Sequence, residues 1–477
     1  MSEWKDATKG LPKDSYILSA GGYCDELKAL FDDGYTHLYA IGENYSIYAS
    51  PLYTKIKYLY ARRENTHFPD GFFDMIFLQN ELDMPKPECT RIVRNGGTIL
   101  LRNNGKWESR EVKKPEGVRP KEINVVLATL GLFEGAAHTT ENMARNLKKY
   151  GIKCHLYRRV EDAPNNRPTI VEWEAAHGMK FPADHSVVIE LHAFLSNRID
   201  FSWRRLFTHP LYALWLYKTF AEWWGFAPTQ VITDPRRILM FIQFSRGRLK
   251  PTYETLPYMR HWNEMLEAAA KPNNVLLVRS NEMAEYIQVN RYYLMPHCAQ
   301  TPRPTPAPET APLCLGTYGH AAPYKNFERY CELALKLDLP LIMLLSVNHL
   351  HDNAIRDTST YAEYLKARYN GRGKIRIEID NFTQGAIRKK LKPCTHLLSL
   401  QKEVHNVSSS MRFMVAMGKP VISTDTYQAK EAQVIRVKRL EDITIPFLES
   451  TRRELTNIDD GTRYLIKFLE MVENNGK

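Results

Sequence analysis

The sequence predicts an α/β protein in which two Rossmann-like domains follow a smaller α/β domain. Short apolar runs, each long enough for one buried strand, alternate with stretches whose apolar residues recur at helical spacing. Such alternation is typical of parallel sheets covered by helices on both faces. The length agrees with this, because 477 residues exceed one ordinary hydrophobic core and require two or three domains.

The first segment, residues 1–105, predicts the smaller α/β domain. Its strand candidates are residues 16–18, 37–41, 73–78 and 98–101. A charged connector over residues 106–120 shows no periodicity, so we expect it to be a linker.

The second and third segments, residues 121–300 and 311–477, predict the two Rossmann-like domains. The second begins with a strand pattern from Ile123, a small-residue turn at 131–137 and a helix pattern at 139–150. It ends at Thr301-Pro-Arg-Pro-Thr-Pro-Ala-Pro, which cannot continue a helix or a central strand. The third repeats the alternation, with strand patterns at 313–317, 340–345, 374–379, 396–400 and 420–424.

Composition predicts a soluble globular protein, with 44% apolar and 25% charged residues. Lys and Arg (65) exceed Asp and Glu (54), an excess that favours phosphates, anionic lipid or nucleic acid without selecting among them. The seven scattered cysteines predict reduced thiols rather than a disulfide framework or a zinc site. A polar N-terminus and the lack of a long apolar run predict a cytoplasmic protein with no transmembrane segment.

Because ligands of parallel sheets bind beyond the carboxyl ends of the strands, we expect the chemistry in strand-to-helix turns. One such turn is Gly316-Thr-Tyr-Gly-His-Ala-Ala-Pro-Tyr-Lys-Asn, which contains Gly319, His320, Lys325 and Asn326. Small residues let backbone N–H groups approach an anion, and Lys325 adds a compact positive charge. The alternative is an ordinary glycine turn followed by a solvated lysine.

A second turn comes after the strand pattern at 396–400. It carries Glu403, and then Ser408, Ser409 and Ser410 stand where they cap a helix that runs to Met417. The N-terminus of a helix attracts phosphate, and a carboxylate just before it can hold sugar hydroxyls. The alternative is that Ser408 caps a purely structural helix and that Glu403 is solvated.

Taken in this order, residues 122–424 resemble the retaining nucleotide-sugar glycosyltransferases of the GT-B fold, of the family 4 type. The resemblance implies that a hexose or pentose is transferred from a UDP- or GDP-sugar, with retention and without a metal. It implies that Lys325 binds the donor diphosphate and that Glu403 contacts the donor sugar. The other diphosphate-site residues that it implies are Gly319, His320, Asn326, Ser408, Ser409 and Ser410.

This chain departs from that family at two places. His320 stands where the family usually has an arginine, and Met411 or Phe413 stands where it has a second carboxylate that holds the ribose. A catalytically degenerate protein that binds sugar nucleotides or nucleic acid is therefore the alternative function.

The second segment supplies candidates for the acceptor side of the site. Gly135 and His138 belong to the turn after its first strand pattern, and His192 ends the strand pattern that begins at Val187. In the family, a histidine at the last of these places faces the transferred sugar, so His192 is implied to be catalytic together with Glu403 and Lys325. The alternative is a histidine satisfied within the core.

The first segment resembles a class I S-adenosylmethionine methyltransferase, through Ile17-Leu-Ser-Ala-Gly-Gly, Glu43 and the stretch Phe68-Pro-Asp-Gly-Phe-Phe-Asp. Its first motif lacks the acidic residue and the Gly-x-Gly spacing of that family. We therefore expect an inactive remnant that supports the fold or docks a partner.

Aromatic and basic residues interleave over residues 199–226, which leaves the acceptor open between classes. A membrane-interface helix pair would bring the enzyme to a lipid-linked glycan at the inner membrane face. A nucleic-acid surface would place the sugar on a hydroxylated base in DNA. A buried helical subdomain is the third alternative.

Overall fold

The computed structural model describes residues 3–21, 25–42, 54–119, 122–127, 142, 144–158, 186–190, 211–216, 237–242, 275–278, 292–294, 310–321, 325–347, 352–400, 409–456 and 461–474. Three sheets succeed one another along the chain, and described helices lie between strands of the first and third sheets. The predicted fold class is confirmed: the protein is α/β, with two Rossmann-like parallel-sheet domains after a smaller α/β domain.

The first sheet has the strand order β3-β2-β1-β4-β5-β6, and its strands β1 to β5 pair in parallel. Its aromatic core includes Phe72, Phe73 and Phe77, which are fully buried. The strands are β1 (Tyr16–Ser19), β2 (His37–Gly42), β3 (Lys57–Tyr60), β4 (Phe73–Leu78), β5 (Val93–Asn103) and β6 (Lys106–Val112), with helices α1 (Glu3–Thr8), α2 (Asp25–Asp32) and α3 (Lys86–Ile92).

The predicted linker at 106–120 is wrong over its first half, because Lys106–Val112 forms the antiparallel edge strand β6. Asn103 pairs with Lys106, so the hairpin loop consists of Asn104 and Gly105 alone. Both have positive φ angles, 50° and 80°, as a tight two-residue hairpin turn requires. The Asn-Gly dipeptide is the sequence signal for this turn, and the exposed, charged strand after it lacks apolar periodicity.

The second sheet has the order β13-β12-β11-β10-β9-β7-β8, and all its pairings are parallel. Its strands are β7 (Glu122–Leu127), β8 (Lys153–Arg158), β9 (Ser186–Glu190), β10 (Leu211–Leu216), β11 (Arg237–Ile242), β12 (Val275–Val278) and β13 (Tyr293–Leu294). Leu211–Leu216 is a central strand, so the expected helix pair or helical subdomain is wrong for these residues. An unbroken apolar run of this length is also typical of a strand in a parallel sheet.

The third sheet has the order β16-β15-β14-β17-β18-β19 and is parallel throughout. Its strands are β14 (Leu315–His320), β15 (Leu341–Ser346), β16 (Ile375–Ile379), β17 (His396–Ser399), β18 (Val421–Thr424) and β19 (Ile435–Val437). The helices are α4 (Glu328–Leu337), α5 (Asp352–Tyr369), α6 (Gln384–Lys390), α7 (Ser409–Val415), α8 (Tyr427–Ala432), α9 (Ile445–Thr451) and α10 (Thr462–Asn474).

Close packing explains why β14 contains a glycine near its start. A Cβ atom on Gly316 would lie 2.6 Å from Cys394 Sγ and 2.9 Å from a Leu397 methyl group, which is too close for any side chain.

The cysteines with described side chains, Cys89, Cys314, Cys331 and Cys394, are all buried and free, as predicted. Within the described parts of the chain, no helix is both long enough and apolar enough to cross a bilayer.

His396, the first residue of β17, gives the third domain a testable acid sensitivity. The ring is fully buried, with Thr395 Oγ1 and Thr451 Oγ1 at 3.1 and 3.3 Å from its two nitrogens. Burial, aided by the positive charge of Arg452, lowers the pKa of His396 from 6.5 to about 4. Between these values the unfolded chain binds a proton that the folded chain does not, so stability is lost as the pH falls.

We expect this site to remove about 1.4 kcal/mol of stability per pH unit below pH 6.5, or roughly 3 kcal/mol by pH 4. The urea midpoint of His396→Gln should therefore depend less on pH than that of the wild type between pH 7 and pH 4.5. Parallel midpoint curves for the two proteins would show that His396 titrates normally.

Candidate functional site

The strand order of the third sheet reverses between β14 and β17. From β14 the chain proceeds to β15 and β16 on one side, and it then crosses to β17 and β18 on the other. In parallel sheets, helices that come after strands on the two sides cover opposite faces, so the strand order predicts a crevice beyond the carboxyl ends of β14 and β17. Both predicted phosphate-binding turns follow these two strands in the sequence.

The first turn is shorter than predicted, because Gly316–His320 belongs to β14 itself and pairs with β15 as far as Ser346. The chain leaves the sheet at Ala321, and the side chain of Lys325 reaches back over the strand end. Lys325 Nζ lies 2.8 Å from the place where a Cβ atom on Gly319 would be. Because Gly319 has no side chain, the Lys325 ammonium group can lie directly over this residue at the crevice.

Asn326 and Phe327 fix where the helix after Lys325 begins. Asn326 has a φ of 55°, a left-handed conformation that asparagine tolerates better than most residues. The N–H of Phe327 donates to the Tyr361 hydroxyl at 3.0 Å, and that hydroxyl donates to the Glu328 carboxylate. Lys325 therefore precedes a helix start that α5 anchors through Tyr361.

The second turn leads into α7, which begins at Ser409 and ends at Val415, so Ser409 and Ser410 open the helix. Met411 is fully buried, and Phe413 packs edge-on against Tyr318, with ring centroids 6.0 Å apart. The two positions at which the resemblance predicts a ribose-binding carboxylate therefore face the core, and helix α7 carries no acidic residue.

Several predicted site residues lie outside the described residues: Glu403, Ser408, His192, Gly135 and His138. The strands that precede them in the sequence are described. Gly135 and His138 come after β7, His192 comes after β9, and these two strands are neighbours in the second sheet. Glu403 comes after β17, which neighbours the strand that leads to Lys325.

Tyr330 and Tyr361 support this site, and neither was predictable from the sequence. Each makes its contact through a hydroxyl to a partner far along the chain: Tyr330 to Leu400, and Tyr361 to Phe327 and Glu328. Burial raises the pKa of Tyr330, so its hydroxyl stays neutral. The only sequence signal is an aromatic residue at an inward-facing helix position, which is also typical of ordinary core residues.

No protein-family model matches the chain, and no curated protein matches it. Among solved structures, TarM aligns with a TM-score of 0.35 and 11% identity, over 56% of this chain and 51% of TarM. HepE from Anabaena, in complex with UDP and glucose, aligns with a TM-score of 0.43 and 8% identity, over 74% of this chain and 97% of HepE. Sucrose-phosphate synthase from Thermosynechococcus elongatus aligns with a TM-score of 0.43 and 11% identity, over 74% and 97%. This chain thus spans about half of TarM and nearly all of the other two, and TM-scores this low carry no assignment of substrate or residue.

Proposed function

We propose that the protein is a glycosyltransferase that moves a sugar from a nucleoside diphosphate to an acceptor hydroxyl, with retention and without a metal. The observation that carries this proposal is the ammonium group of Lys325, held against Gly319 at the crevice between β14 and β17. An ammonium group at a strand-order reversal is placed to meet a phosphate that enters beyond the strand ends.

Sugar transfer needs stabilisation of the negative charge that grows on the departing diphosphate. Lys325 supplies a fixed positive charge there, and charge that is preorganised for the transition state lowers the barrier more than it tightens ground-state binding. In this proposal, Glu403 holds the sugar hydroxyls, His192 faces the transferred sugar, and Gly135 and His138 border the acceptor. Gly319, His320, Asn326, Ser408, Ser409 and Ser410 border the diphosphate.

The test is a panel of UDP- and GDP-sugars that is monitored in two ways. Thermal stabilisation reports binding, because a ligand of the folded state raises the melting temperature by mass action. Release of the nucleoside diphosphate in the presence of acceptor extracts reports transfer. Stabilisation without release would identify the degenerate binding protein instead, and a panel with neither response would refute both functions.

Gly319→Ala tests the ammonium position by itself. The new methyl group would lie 2.8 Å from Lys325 Nζ, the end of a flexible side chain, so the ammonium group moves while the sheet stays intact. We expect an unchanged melting temperature and a roughly 10-fold weaker affinity for UDP, the worth of one charge-assisted hydrogen bond. Gly385→Ala, at a position with open space, is the matched control. Equal UDP affinities in the two variants would contradict the assignment.

The acceptor belongs, in our proposal, to one of two anionic classes, a lipid-linked glycan or DNA that carries a hydroxylated base. Exposed basic residues that would attract either class are Lys366, Arg368, Arg372, Lys374 and Arg376, which lie at the end of α5, in the turn after it and in β16, toward the amino edge of the sheet. Flotation with anionic vesicles supports the lipid, and salt-sensitive binding to DNA supports the nucleic acid. Failure of both tests leaves a soluble glycan.

We further propose that the first domain is an inactive, methyltransferase-like support. Its glycine turn begins at Gly21, beyond the carboxyl end of β1, where the Asp83 carboxylate lies 3.1 Å from the place of a Gly21 Cβ atom. Asp83 is held there by the N–H groups of Gln79 and Asn80, at 2.6 and 3.0 Å. The Asp83 side chain thus fills the space above the glycine, and measurable binding of S-adenosylmethionine would overturn this part.

The contacts of the first domain explain what it supports. His67 binds β13 of the second sheet and the residue before it: its Nδ1 donates to Tyr292 O at 2.9 Å, and its carbonyl accepts from Leu294 N at 2.7 Å. On the third domain, the Gln433 side chain donates to the Ile56 carbonyl at 3.1 Å. The first domain thus contacts both transferase domains, and we propose that it braces them against each other.

A further inference from the structure

The backbone ladder between β14 and β17 ends early, at the crevice. Two residue pairs form it, Leu315 with His396 and Gly316 with Leu397. Beyond them the strands separate, although both continue toward the carboxyl edge. Backbone groups of β17 that face β14 past this point need other partners, because an unpaired buried N–H group is costly.

Two buried hydroxyl groups take over where the ladder ends. The Thr317 hydroxyl donates to the Leu398 carbonyl at 2.9 Å, and the N–H of Leu400 donates to the Tyr330 hydroxyl at 2.5 Å. Tyr330 and Thr317 are 2% and 1% exposed, so both of these hydrogen bonds are buried.

Tyr330 lies on α4, the helix that Lys325 precedes, whereas Leu400 comes directly after β17, from which the chain continues to Glu403. The hydrogen bond between Leu400 and the Tyr330 hydroxyl thus joins the α4 side of the crevice to the β17 side. We propose that Tyr330 is a positioning residue, which sets where β17 ends, and so where the turn to Glu403 begins, relative to Lys325. This rests on the donor site proposed above, and it assigns Tyr330 no contact with substrate.

Tyr330→Phe tests the proposal, because it removes one oxygen atom and keeps the ring that packs against Phe327. We expect kcat to fall roughly 10- to 100-fold, the effect of a small misplacement of reacting groups, while the KM for the donor changes less than about threefold. Stabilisation by UDP should persist, since Lys325 is untouched. Amide exchange at residues 398–400 should become faster.

The control is Tyr369→Phe, which removes a hydroxyl from a buried ring of α5 in the same core. Thr317→Val should reproduce the effect of Tyr330→Phe in part, and Thr317→Ser, which keeps the hydroxyl, should restore the wild-type rate. Unchanged amide exchange at 398–400 in Tyr330→Phe would show that the Tyr330 hydroxyl does not hold the end of β17. If amide exchange at 398–400 becomes faster in Tyr330→Phe, but its kcat equals that of the Tyr369→Phe control, the positioning role is refuted. If UDP does not stabilise the wild-type protein and the protein transfers no sugar, the proposed function itself is refuted. That outcome is seen in the wild type alone, before any variant is made.

Discussion

Replacement of Lys325 by alanine should lower kcat/KM for the donor by about 100- to 1000-fold. Loss of one preorganised group that stabilises transition-state charge has effects of this size in other enzymes. The stabilisation by UDP should also disappear, because the variant leaves the diphosphate without its compact positive charge. The fold should survive, since the side chain ends at the crevice rather than in the core.

Lys336→Ala is the matched control, because Lys336 is exposed in the last turn of α4, the helix that comes after Lys325. It changes the net charge of the domain by the same amount at a distance from the crevice. An equal loss of activity in both variants would mean that the general charge of the domain matters, and not the position of Lys325.

Replacement of Arg463 by alanine should destabilise the protein by about 2 to 4 kcal/mol, which is the cost of removing one partner from a largely buried ion pair. Arg463, on the C-terminal helix α10, donates to Asp74 of the first domain at 2.9 Å and stacks over the Tyr16 ring at 4.3 Å. Urea unfolding measures the loss. Arg94 also binds Asp74 but is 43% exposed, so Arg94→Ala should cost much less.

The same ion pair makes a prediction about pH. Burial opposes ionisation of Asp74, but the charge and hydrogen bond of Arg463, with further bonds from Tyr16 and Arg94, hold its pKa below the ordinary 3.8. The pair therefore contributes fully above about pH 4, and its contribution is lost as the pH falls. The double variant Asp74→Asn/Arg463→Met should recover part of the stability, because it leaves no unpaired buried charge. Equal stability of Arg463→Ala and wild type would show that α10 is not held by this contact.

The fully buried strand β4 was predictable from the sequence, whereas the exposed edge strand β6 and the very short strand β19 were not. The run Phe-Asp-Met-Ile-Phe-Leu predicts a strand at 73–78, and the strand covers those residues, because every position is buried. The pattern does not predict the edge strand β6, whose side chains are mostly exposed, or the three-residue strand β19. Apolar periodicity reflects which side chains are buried, so it cannot identify a strand whose side chains face water.

At the candidate site, the sequence predicts the residues of each turn but not the bonds that hold the turns together. Lys325 is predictable because it comes shortly after the first strand of its domain, and the strand order places it beside a crevice. Tyr330 is not, since its partner Leu400 is 70 residues away and the bond depends on how two strands diverge. The bond from Arg463 to Asp74 joins residues 389 positions apart, and nothing in either neighbourhood indicates it.

The central claim is that the third domain holds a sugar-linked diphosphate through Lys325, beyond the ends of β14 and β17. A structure determined with UDP bound tests it most directly. We predict a terminal phosphate oxygen about 2.8 Å from Lys325 Nζ, the length of a charge-assisted hydrogen bond, with the diphosphate above Gly319. A diphosphate bound elsewhere, or one at this crevice that Lys325 does not touch, would contradict the account.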